Sequence, residues 1–185
     1  RVDHASWETW AVVNKIHKDV VGYVGFAKQD LYDFDPRSSS RSFATPRSWT
    51  FVSELLKDED ISNEDLTDLV AGAVGEGVAV KFMAHRKVAG QLPKPSEILA
   101  GKVKELKVKE ISAMYSLTIA MCYELQDAAK KESGKISAEW HDMADNFFKF
   151  MMDNFTTELT VMGARVALTT YNLPFVPGKL KHFDE

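Results

Sequence analysis

Apolar residues recur along this chain at spacings of three and four, and no stretch alternates convincingly between apolar and polar. The pattern therefore predicts helices and no sheet. Trp7, Trp10, Ala11 and Asn14 fall on one helical face, and Val20, Tyr23, Val24 and Ala27 form the next stripe. Residues 33–42 read as a loop, with Pro36, Arg37, Arg41 and three consecutive serines. A third helix is expected over 47–57, burying Val52, Leu55 and Leu56, with Phe51 or Trp49 at its edge. Ser62 and Asp65 form a capping-box pattern for a helix reaching Ala71. Gly72, Gly75 and Gly77 should interrupt it, before a helix that carries Val78, Phe82 and His85 or Arg86.

The segment Gln91-Leu92-Pro93-Lys94-Pro95 is the expected internal boundary, because two prolines cannot sit inside a helix. A short helix near 96–99 should follow, then a charged, mixed stretch over 102–109. Ile111, Met114, Leu117, Met121, Leu125 and Ala128 mark a long helix that Ser133-Gly134 should stop. Trp140, Met143, Ala144, Phe147 and Met151 continue at helical spacing, and Leu159, Met162 and Val166 mark a last helix. Residues 172–179, with two prolines, are expected to run extended and pack on the surface. The reading is all-α, about nine helices in two groups, without an internal repeat.

Composition narrows the classes. The chain has 185 residues, 45% hydrophobic and 27% charged, enough for one ordinary or two small folded domains. A net charge of -4 argues against nucleic-acid binding as its main business. The one cysteine, Cys122, excludes an internal disulfide and fits a reducing compartment, so a cytoplasmic location is expected. No apolar run approaches the ~20 residues that span a bilayer, and no membrane partner is expected. The first residue is Arg1, leading straight into structured-looking sequence; we expect a fragment whose N-terminal portion is removed.

The richest local signal is Phe43-Ala44-Thr45-Pro46-Arg47-Ser48-Trp49. Thr45 can cap free backbone N–H groups, and Pro46 suits the first helical position, where its missing N–H costs nothing. Arg47 then projects from a helix N-terminus. Donors and dipole there favour an anion, whereas a cation opposes the dipole. That unfavourable placement points to a phosphate partner rather than a structural pair. No G-x-x-x-x-G-K-[ST] cradle occurs in the chain.

Four segments occur in order: Trp7-Glu8-Thr9-Trp10-Ala11, Val20-Val21-Gly22-Tyr23-Val24, Phe43 to Trp49, and Ala71-Gly72-Ala73-Val74-Gly75-Glu76-Gly77. With the ending Thr169-Thr170-Tyr171-Asn172-Leu173-Pro174, they resemble the C-terminal part of MoxR-like AAA+ ATPases of the bacterial and phage kind. The resemblance covers most of the chain and is thin over 91–151. It implies a lid-type helical domain at 1–90 and a helical extension at 91–185. It also implies that Arg47 is the sensor 2 arginine, with Thr45 and Pro46 beside it at the nucleotide. ATP and Mg would be bound by a missing N-terminal P-loop domain, the first partner of this chain. The arginine finger would lie just upstream of Arg1. A homo-oligomeric ring and a remodelled protein substrate are further implied partners. Without its P-loop half, the chain should neither hydrolyse ATP nor bind it tightly.

Other features carry less. Arg37 and Arg41 read as a solvated loop pair that could also reach phosphate. The three glycines near Gly75 read as a tight helix junction. His4, His17, His85, His141 and His182 lack ligand spacing, so no metal is expected. Asp142 with Asp145, and Glu124 with Asp127, read as solvated helix faces, and Asp58-Glu59-Asp60 as a polar loop. Phe147, Phe148, Phe150, Met151, Met152 and Phe155 go nearly round their helix; core packing is the default reading, and the alternative is that part of the stripe faces the missing domain or a neighbouring subunit. The alternative is a stand-alone helical interaction module without a nucleotide role, docking through its aromatic and Met-rich C-terminal half.

Overall fold

The computed structural model describes residues 2–58, 60–132 and 135–182. Arg1, Glu59 of the acidic run, and the expected Ser133-Gly134 stop lie outside the described residues. Among those described, the chain is all-α, with nine α-helices and no strand. It divides into two compact units, Arg1–Gly90 and Gln91–Glu185. No described helix is long and apolar enough to cross a membrane.

The first unit holds α1 (His4–Val13), α2 (Lys18–Phe26), a 3-10 turn (Lys28–Leu31), α3 (Pro46–Leu55), α4 (Asn63–Val74) and α5 (Glu76–Ala89). Helix α2 is its centre: Val20, Val21, Tyr23 and Val24 are all buried, and α1, α3 and α5 pack against it. The face of α1 differs from the expected one. Trp7, Ala11 and Val12 turn inward, while Trp10 is 44% exposed and Asn14 caps the helix end. Of the two edge candidates on α3, Phe51 holds that place and Trp49 does not. Its indole is wholly buried between Tyr23 and Phe82, and Phe51 takes the exposed side. Leu55 and Leu56 are only half-buried, because the inner stripe of α3 is Trp49, Val52 and Ser53. Of the three glycines, only Gly75 breaks the helix. Its φ of +88° suits glycine alone, and an added Cβ would stand 3.0 Å from the Ser42 carbonyl oxygen.

The second unit holds α6 (Pro95–Leu99), α7 (Ile111–Lys131), α8 (Ala138–Asn154) and α9 (Thr157–Thr169). Helices α7, α8 and α9 pack on one another, and α6 sits against α7 and α8. Met114, Leu117, Met121 and Leu125 of α7 and Trp140, Ala144, Phe147 and Met151 of α8 are buried in its core, and Trp140 Nε1–H donates to the Leu125 carbonyl at 2.8 Å. Gly163 lets α9 come close, since a Cβ there would lie 2.7 Å from Met151 Sδ.

The tail lies on the surface as expected, with Asn172, Pro174 and residues 176–179 exposed and a 3-10 turn at Pro177–Lys179, while Leu173 is buried and the Phe175 ring packs on Trp140, Phe147 and Phe148. The default reading of the apolar stripe of α8, core packing, holds over most of it. Phe147, Phe148, Phe150 and Met151 are buried within this unit, and Met152 and Phe155 are half-buried.

Candidate functional site

The start of α3 is fixed by side-chain chemistry on both sides of its first turn. Thr45 is extended (φ -146°, ψ 162°), and its Oγ1 accepts the Ser48 N–H at 3.0 Å. The Thr45 N–H donates back to Ser48 Oγ at 2.8 Å, closing a reciprocal capping box with Pro46 at the first helical position. Deeper in, Trp49 Nε1–H donates to the Asp30 carbonyl at 2.8 Å. Ser53 Oγ accepts the His17 N–H at 2.8 Å, tying α3 to the start of α2.

The inner face being anchored, the outer face of α3 presents Arg47, Thr50, Phe51 and Glu54. With Trp7, Trp10 and Pro46 they line a groove of about 590 Å³. Trp10 and Phe51, at 44% and 54% exposure, form its apolar walls. The two charges on the groove differ in state. Glu54 is paired with Lys57 at 2.7 Å. Arg47 is exposed and has no hydrogen bond or ion pair among the described residues. Pro46 lacks an N–H and the Ser48 N–H is taken by Thr45, so within that first turn the Arg47 N–H is left to face outward. A guanidinium beside one free amide can hold an oxyanion by a planar pair of N–H groups.

The remaining candidates stand elsewhere. Arg37 Nε reaches Asp35 at 3.4 Å in the exposed loop, and Arg41 is exposed. Ser42 Oγ donates to the Ala71 carbonyl at 3.1 Å, so the Gly75 region is occupied by close approach of that loop. The histidines are dispersed: His4 Nε2 lies 2.9 Å from the Val24 carbonyl, His17 Nδ1 accepts the Asp19 N–H, and His182 Nδ1 is 2.9 Å from Asp145. Among the described residues no cluster of three or more His, Cys, Asp or Glu side chains is arranged to hold a metal. Cys122 is fully buried, which pushes its thiol well up and leaves it unreactive.

Asp30 was not foreseen as a structural centre. It is 2% exposed, and Tyr23 Oη–H donates to its Oδ2 at 2.5 Å, with Lys81 Nζ 3.5 Å from Oδ1. Burial first, then the Asp30 contact, raises the Tyr23 phenol, so it stays a donor at any ordinary pH. A lone aspartate in sequence reads as solvated, and only the buried Tyr23 seven residues earlier hints otherwise.

Burial also depresses the pKa of His17, His85 and His141, in each case chiefly by desolvation of the charged ring. Asp19 works in the opposite sense on His17 and His85. A histidine whose folded pKa lies below its unfolded value keeps its full stability above pH ~6.5 and loses it as pH falls toward the folded value. Stability in urea should therefore drop between pH 7.5 and 5.5, above the ordinary carboxylate range, by up to ~1.4 kcal/mol per pH unit for each such histidine. A flat urea midpoint over that window, followed by circular dichroism, would contradict these burial assignments.

The chain matches no protein-family model, no curated protein and no solved structure.

Proposed function

We propose that residues 1–90 act as the lid of a cytoplasmic, MoxR-like AAA+ ATPase, with Arg47 as its sensor 2 arginine. In this reading a P-loop domain carried N-terminally binds ATP and Mg. Arg47 reaches its β/γ-phosphates, and Thr45 and Pro46 set the angle of approach. The lid then transmits nucleotide state through a ring of like subunits to a remodelled protein. Residues 91–185 are the helical extension. One observation carries the reading: an exposed arginine with no partner among the described residues, held at a rigidly capped helix start where the dipole disfavours it. An arginine held there without a counter-ion is poised for an anion supplied from outside the chain.

The groove between α1 and α3 favours a second reading, a helical interaction module without a nucleotide role, because exposed Trp10 and Phe51 suit an apolar partner. The coding sequence before Arg1 separates the two. The ATPase reading requires a strand–G-x-x-x-x-G-K-[ST]–helix roughly two hundred residues upstream, a distance set by ordinary domain size. Calorimetry on residues 1–185 alone should show no tight ATP binding. A missing P-loop upstream, or micromolar ATP binding by this chain, would overturn the assignment.

A further inference from the structure

The connector between α6 and α7 is held in an unusual way. Residues 102–110 adopt neither helix nor turn, and two asparagines of α8, two turns apart, hold the segment: Asn146 at the last residue of α6 and Asn154 at the connector backbone itself. Asn146 Nδ2 donates to the Leu99 carbonyl at 2.9 Å. The Asn154 carboxamide accepts the Leu106 N–H at 2.7 Å and donates to the Lys104 carbonyl at 2.9 Å. A carbonyl and the N–H two residues on are the pair that one residue of a parallel neighbouring strand engages with its own N–H and C=O. Asn154 thus imitates a ladder partner along one edge of the connector, and buried Leu106 fixes that edge toward the unit.

In such a backbone the alternate residues point their N–H and C=O the other way. Glu105, between the two residues Asn154 holds, turns its backbone groups to that opposite edge, and neither they nor those of Lys107 and Lys109 have a hydrogen-bond partner among the described residues. The side chains of the same stretch add a charge pattern. Lys102, Lys104, Lys107 and Lys109 are all exposed and make no ion pair among the described residues, against Glu105 and Glu110. A local positive excess in a chain of net charge -4 marks this edge off from the rest of the surface.

We infer that residues 104–109 form a docking edge for an extended acidic segment of a partner protein, which adds as a strand beside Glu105 and Lys107 with its carboxylates over the lysines. The open backbone edge favours a peptide over a nucleic acid, since phosphates would use the lysines but leave those N–H and C=O groups unpaired. This inference does not depend on the ATPase reading.

The test is fluorescence anisotropy with a labelled decapeptide of alternating glutamate and valine. Three comparisons accompany it: the same peptide N-methylated at its valines, the same pattern with lysine for glutamate, and a ten-residue oligothymidylate. The glutamate peptide should bind, and N-methylation should weaken it by about tenfold or more, the worth of one or two lost hydrogen bonds. Glu105→Pro removes a donor from the edge and also a repelling charge, so strand addition predicts weaker binding where electrostatics alone predicts stronger. Glu105→Gln, which keeps the N–H, should bind at least as well as the parent. Should Glu105→Pro fail to keep its helical signal, the N-methylated peptide on the unaltered chain decides. Equal binding of methylated and parent peptides, equal binding of the oligothymidylate or the lysine peptide, or no binding at millimolar peptide would each overturn the proposal.

Discussion

Trp49→Ala is expected to lower the stability of residues 1–90 by about 3–5 kcal/mol, the usual cost of emptying a wholly buried aromatic site. The indole sits at 0% exposure, its ring centroid 5.6 Å from Tyr23 and 5.3 Å from Phe82, and its N–H satisfies the Asp30 carbonyl. Truncation leaves a cavity beside two rings and strips a hydrogen bond from a buried acceptor. Trp49→Phe restores most of the apolar area but not the donor, and should cost about 1–3 kcal/mol. Both variants lose the Asp30 bond, so the difference between them reports the apolar volume, and the loss in Trp49→Phe carries the bond. A unit of this size has of order 5–13 kcal/mol in all, so Trp49→Ala consumes a large share of it. Urea unfolding followed at a helical wavelength reads both values. A loss under ~1 kcal/mol for Trp49→Ala would mean the ring is not the packing centre of this unit.

Much of the fold could be read from the chain because helical burial is periodic. Val20, Tyr23, Val24 and Ala27 are all buried, as are Met114, Leu117, Met121 and Leu125, since residues three and four apart share a face whatever packs on it. The cap at Thr45 and Pro46 was equally legible, being chemistry between neighbours in sequence. What could not be read depends on contacts between distant segments. Trp49 and Phe51 are two residues apart, and which one turns inward is decided by Tyr23 and Phe82. The burial of Tyr171, Leu173 and Leu180 has no periodic signature because that tail is not a helix. Asn146 and Asn154 look like solvent-facing polar residues until the connector they hold is placed beside them.

The candidate site divides the same way. Arg47 and its cap were visible in seven residues of sequence. The groove beside it was not, because it needs Trp7 and Trp10 of α1 to meet Phe51 of α3. That juxtaposition gives the arginine an apolar flank.

Arg47→Ala carries the other large expected effect. The side chain has no hydrogen bond or ion pair among the described residues, so its removal should leave the urea midpoint within about 0.5 kcal/mol of the parent. If the proposed ATPase reading holds, in a protein that carries the P-loop domain it requires, the same change should cut ATP turnover by roughly 10²–10³, the range for losing one preorganised donor to transition-state charge. Arg47→Lys keeps the charge but not the planar fork, and should recover only part of the loss. Steady-state ATP hydrolysis by the P-loop-containing protein, with and without Arg47→Ala, is therefore the decisive measurement. The account predicts a loss of that size in a protein that folds as stably as the parent. Unchanged turnover, or turnover lost only in step with stability, would contradict it.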